Sequence, residues 1–138
     1  MDDGSAADGS AATALLLGLP LLLVLLFVAG RWQTILAKRP HETIVDFGPE
    51  HVHQIVDKTF GRFLWDDVDG PGDINKRRLS LNDRPVVISI DVTELEDGRT
   101  HVLAQMTRWS ENGFGMIGSR GHHLAKKVIR RLENAQGK

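Results

Sequence analysis

Two hydrophobic rhythms divide the chain. From Ala14 to Gly30 it reads ALLLGLPLLLVLLFVAG, with no charged or hydrogen-bonding side chain. Beyond Gly30, apolar residues recur only at the spacings of helices and strands. At 1.5 Å per residue the first run spans roughly 25 Å, and Ala11–Thr13 extend it to roughly the 30 Å of a bilayer core. Its nine Leu and one Phe favour insertion by about 5 kcal/mol in total, less what Gly18 and Pro20 cost. The pattern predicts a transmembrane helix over residues 14–30, with Pro20 accommodated as a kink. Trp32 follows where an interfacial aromatic belongs.

The second rhythm predicts an α+β domain over residues 41–138. Glu42–Phe47 reads as a short strand, and Gly48-Pro49-Glu50 opens a helix with Pro and an acid in its favoured first turn. Val52, Ile55, Val56, Phe60 and Phe63 then fall on one helical face. Residues 66–75 (DDVDGPGDIN) read as a turn-rich loop, Arg77–Leu81 as a short strand, and Asn82–Pro85 as a turn. Val86, Ile88, Ile90 and Val92 alternate with Val87, Ser89, Asp91 and Thr93, a half-buried strand whose hairpin partner is Thr100–Ser110. A three-residue loop, Glu96-Asp97-Gly98, pairs Ile88 with Met106 and Ile90 with Ala104 and puts Gly98 at the left-handed position. A two-residue turn would shift the register by one and set Ile90 against Gln105. Residues 113–121 form a glycine-rich loop before a final helix at 122–135. The expected architecture is a small antiparallel sheet of three to four strands packed against helices 49–63 and 122–135.

Charge sharpens this division. Residues 1–13 hold Asp2, Asp3 and Asp8 and no basic residue, whereas the 108 residues after Gly30 hold all 17 Lys and Arg against 15 acids. The overall charge of −1 is thus −3 on one side of the apolar run and +2 on the other. A cleaved signal peptide, ending at Val28-Ala29-Gly30, would need a basic n-region that residues 1–13 lack. Arg31, Lys38 and Arg39 instead point the C-terminal side toward the cytoplasm. The expectation is a single-pass protein of the plasma (cytoplasmic) membrane. Residues 1–13 are its disordered external tail, and 31–40 continue the helix as a juxtamembrane linker that Pro40 ends. Ala14 and Gly18 form a small-xxx-small pair suited to helix–helix contact.

No residue is assigned to catalysis, cofactor binding or metal binding. Zero cysteine excludes a disulfide scaffold, a thiolate zinc site and a cysteine nucleophile. Gly113-Phe-Gly115-Met-Ile-Gly118 spells a dinucleotide fingerprint, but the parallel strand that must follow its helix is missing. Asp66, Asp67, Asp69 and Asp73 fail the EF-hand spacing, since Gly70 at position 6 would put Trp65 and Lys76 at ligand positions 1 and 12. His51 and His53 sit two apart on a predicted helix and diverge. His122-His123 open the last helix, as a pH-sensitive cap or as metal ligands.

The final helix carries more. Leu124, Ala125, Val128, Ile129, Leu132 and Ala135 share one face, and Lys126, Lys127, Arg130 and Arg131 crowd the other. A basic face beside an anionic leaflet gains about 1 kcal/mol per Lys or Arg. Lys76, Arg77, Arg78 and Arg84 form a second basic group that, with the helix, would make one positive surface facing membrane lipid or a protein partner. Nucleic acid is not expected, because no aromatic residues interleave with these charges.

Thr43-Ile44-Val45-Asp46-Phe47-Gly48-Pro49-Glu50-His51-Val52 resembles the opening of helix-grip domains of the START/polyketide-cyclase superfamily. Residues 42–135 continue in the same order, through antiparallel strands to a glycine-preceded C-terminal helix, but the stretch is shorter than a full member. The resemblance implies affinity for a hydrophobic ligand or lipid. The reading preferred from the residues is a non-catalytic accessory or regulatory subunit of a membrane complex. The alternative is a membrane-tethered ligand binder.

Overall fold

The structure is a computed structural model, and it describes residues 5–79, 86–109 and 123–137. Helix α1 runs unbroken from Ser5 to Ala37, through Pro20. It begins nine residues before Ala14, so residues 5–13 are helical rather than the expected disordered tail. The cause is local: an Ala-rich segment has high intrinsic helix propensity, and the Thr13 hydroxyl donates back to the Gly9 carbonyl at 2.8 Å. The apolar side chains of α1 face outward, Leu15 being 73% exposed and every large residue through Val28 largely open. Over Gly9–Ala37 the helix is long and apolar enough to cross a membrane.

Five strands follow, in a single antiparallel sheet of order β1-β5-β4-β3-β2. They are β1 (His41–Val45), β2 (Trp65–Asp67), β3 (Ile74–Arg78), β4 (Val87–Glu94) and β5 (Thr100–Arg108). The expected three to four strands are corrected by β2, which lies in the segment read as one long turn. Within it, the Asn75 amide donates to the Gly72 carbonyl at 2.7 Å and accepts from the Gly72 N–H at 3.0 Å. The Val68 N–H meets the Asn75 carbonyl at 3.0 Å. A Cβ at Gly70 would displace the Asn75 amide that organises the turn, and one at Gly72 would stand 2.9 Å from the Ile90 backbone nitrogen, so glycine lets this hairpin pack against β4. The Asp73 carboxylate accepts from the Val92 N–H at 2.7 Å. These turn residues hold the sheet edge together.

The β4–β5 hairpin has the expected three-residue loop. Ile88 pairs with Met106, Ile90 with Ala104, and Gly98 takes φ +80°. That register points Ile88, Ile90, Val102, Ala104 and Met106 to one face, where all are buried. Helices α2 (Pro49–Thr59) and α3 (Leu124–Gln136) cover this face, α3 over β1 and β5 and α2 beside it over β4. Val52 and Val56 of α2, and Leu124, Ala125, Val128, Ile129 and Leu132 of α3, complete the core. The opposite face carries polar pairs such as Ser89 with Thr107 at 2.6 Å.

Helix α2 ends at Thr59, short of the expected residue 63, and Gly61 follows the Phe60 C-cap. Phe60 turns inward and meets Trp65 edge-on at 4.9 Å. Phe63, expected on the buried face, lies beyond the helix and is 93% exposed. The strand expected at Arg77–Leu81 instead begins at Ile74 and ends at Arg78. The Asn82–Pro85 turn with Arg84, the 113–118 glycine motif and His122 lie outside the described residues.

Candidate functional site

Pro40 disfavours helix at the residue before it, so α1 closes at Ala37 and the chain reaches β1 after three residues. The closing bonds run from the Lys38 N–H to the Thr34 carbonyl and from the Arg39 N–H to the Leu36 carbonyl, both 3.2 Å. Ala37 joins the hydrophobic core, and Thr34 one turn earlier is also buried. The Lys38 ammonium lies 5.0 Å above the Trp109 ring, just after β5. Together these contacts dock the last turn of α1 on the domain.

Helix α3 runs alongside β1 in the same direction. His123 and Lys126 at its start lie near His41, and Gln136 at its end donates to the Asp46 carboxylate at 2.8 Å. The start of α3 therefore meets the end of α1. Between them opens a cleft of about 510 Å³ lined by Gln33, Leu36, Ala37, Arg39, His41, His123 and Lys126. None of these described lining residues is a carboxylate. Burial, and then the Lys126 charge, hold the His41 pKa below the usual imidazole value.

Against the sequence expectations, the basic residues separate into two fates. Trp32 is 61% exposed on α1, beside the domain rather than in it. Arg39 and Lys126 converge on the cleft, and Lys127 and Arg130 are exposed along α3. Arg131 serves the fold, donating to the Lys58 carbonyl at 3.3 Å and the Thr59 hydroxyl at 3.4 Å. Ala14 and Gly18 lie exposed one turn apart on α1.

The β3 group does not join this surface. Strand alternation turns Lys76 inward beneath α2, where its side chain is only 9% exposed. Its ammonium contacts Asp57 of α2 at 2.9 Å and Asp67 of β2 at 2.7 Å. Burial alone would lower the Lys76 pKa, but the hydrogen bonds and charges of Asp67 and Asp57 outweigh it and raise the pKa above the ordinary lysine value. Arg77 stands 3.7 Å from Asp66, its register partner across β2. Arg78 is half-buried, its backbone N–H on the Val86 carbonyl at 2.9 Å. Lys76 is thus an internal ion, not a membrane- or partner-facing residue.

The sequence reading missed His41, Gln33, Leu36 and Trp109. Only the basic run ending at Pro40 hinted that something meets the exit of α1. Among the described residues, no three His, Cys, Asp or Glu come together to hold a metal ion. No family model, curated protein or solved structure matches this chain.

Proposed function

We propose that this is a single-pass plasma-membrane protein with its N-terminus outside and its α+β domain in the cytoplasm. It acts as a non-catalytic accessory or regulatory subunit of a membrane complex. The observation that carries this reading is the convergence of Arg39 and Lys126 at the end of an outward-facing apolar helix. Cations gathered there suit the inner leaflet, and the lipid-facing length of α1, with Ala14 and Gly18, suits a protein partner. The filled interior favours an interaction module over a helix-grip ligand binder. Val45, Ile88, Ile90 and Val102 of the sheet, and Val52, Val56, Val128 and Leu132 of the helices, close on one another with no exposed surface.

The absence of cysteine makes the test direct. A single Cys introduced at Ser10 should react with an impermeant maleimide on intact cells, and one at Gln136 only after permeabilisation. The reverse pattern contradicts the orientation. Extraction in mild detergent should recover a defined partner protein, and purification as a lone monomer contradicts the subunit role.

A further inference from the structure

We propose that the cleft between the end of α1 and the start of α3 is a binding site for the phosphate headgroup of an anionic glycerophospholipid, with Arg39 and Lys126 as its principal ligands. This rests on the reading that α1 crosses the membrane. The depth fits. The apolar run ends at Gly30, and Gln33–Ala37 lie roughly 5–10 Å further along the helix axis. The headgroup layer occupies about 5–8 Å outside the hydrocarbon core on each side. The cleft mouth therefore stands at the level of lipid phosphates while the acyl chains stay beside α1.

The chemistry fits as well. A guanidinium offers paired N–H donors matched to phosphate oxygens, and an ammonium adds a point charge. Arg39 and Lys126 bring these two groups from separate elements. Gln33, His41 and His123 add further N–H donors, and Leu36 and Ala37 form an apolar wall for the glycerol. A volume of about 510 Å³ lies in the range of ligand sites. Among the described residues, the titratable and charged groups that line the cleft with His41 are Arg39, His123 and Lys126, none of them a carboxylate, and the Glu42 carboxylate next to it is taken up by His101 at 3.1 Å. A bound phosphate reverses that field and draws a proton onto His41.

The full-length protein, placed in nanodiscs of phosphatidylcholine with and without phosphatidylglycerol, tests this. Native mass spectrometry should show phosphatidylglycerol retained over phosphatidylcholine by roughly thirtyfold, the ratio expected from two cations near anionic lipid. The Arg39→Gln/Lys126→Gln variant should lose that preference, and Arg62→Gln, which follows α2 beside Asp57 and Lys76 and does not line the cleft, should keep it. The His41 imidazole, followed by NMR, should titrate at higher pH in phosphatidylglycerol discs than in phosphatidylcholine discs. Equal retention of both lipids, or equal loss in Arg62→Gln, overturns the site. Inorganic phosphate that shifts His41 equally in phosphatidylcholine discs overturns the lipid assignment in favour of a soluble anion. Failure of the chain to insert into any disc overturns the membrane reading itself, a result distinct from insertion without lipid preference.

Discussion

Two basic groups of similar sequence appearance meet opposite ends in this fold. Lys76 of the Lys76-Arg77-Arg78 run is turned into the domain and paired there with two carboxylates, and Arg77 is held beside Asp66, while Arg39 and Lys126 stand open at the exit of the apolar helix. The difference lies in what the topology sets opposite each group. Antiparallel pairing of β2 with β3 places Asp67 against Lys76 and Asp66 against Arg77, and α2 lowers Asp57 onto the same ammonium. Helix α3 instead meets α1 and β1 with Gln33, Leu36, Ala37 and His41 across the cleft, none of them acidic. A cluster of cations in a sequence therefore says little about a surface until its register partners are known.

The largest effect should come from stripping the internal group of its carboxylates. Asp57→Ala/Asp67→Ala leaves the Lys76 ammonium without its two carboxylates; because both are largely exposed to water, unfolding in detergent should show a loss of about 2 kcal/mol. Lys76→Met, which removes the charge and keeps the stem, should change stability by less than about 1 kcal/mol, because both carboxylates are then free in water. Equal losses in the two variants would erase the distinction between an internal and an outward cation.

Next comes the outward group. Arg39→Gln/Lys126→Gln should weaken the preference for anionic over zwitterionic lipid in nanodiscs by about 2 kcal/mol while leaving the melting temperature nearly unchanged. The Lys76→Met variant should keep the parent's lipid preference. Lipid retention measured at low and high salt separates the two, since the effect should fade as salt rises.

The pH responses are smaller and of opposite sign. Since the His41 pKa is lowered in the fold, the unfolded chain takes up its proton first. Stability should therefore fall as pH drops below the ordinary imidazole value of 6.5 toward the lower folded value. Lys76→Met should leave this acid limb intact, and Lys126→Gln should shrink it. The Lys76 pKa is raised, so its contribution is fully present at neutral pH and lost only above the ordinary lysine value of 10.5. The smallest effect is expected for Arg77→Gln, whose half-exposed pair with Asp66 is worth under about 1 kcal/mol.

The parts legible from sequence were those governed by local rules. The β4–β5 register followed from matching Ile88 and Ile90 to apolar partners and from Gly98 in the turn. The buried face of α3 followed from its 3.6-residue period. The β2–β3 hairpin was hidden because Asn75, rather than a turn dipeptide, organises it, and because a three-residue strand has too little alternation to notice. Phe63 was misread because helical spacing continued past the point where Gly61 ends α2. Lys76 was misplaced because its partners, Asp57 and Asp67, come from two other elements. The cleft was invisible for the same reason: it exists only once α3 lies beside β1.

The account stands most directly on where these two groups sit relative to the bilayer. Nanodiscs containing a lipid whose headgroup carries a gadolinium chelate broaden the amide resonances nearest the headgroup layer. Strong broadening at Arg39, His41, Lys126 and Lys127, with Lys76–Arg78 left sharp, is the predicted result. Equal broadening of both groups, or stronger broadening at Lys76–Arg78, would contradict it.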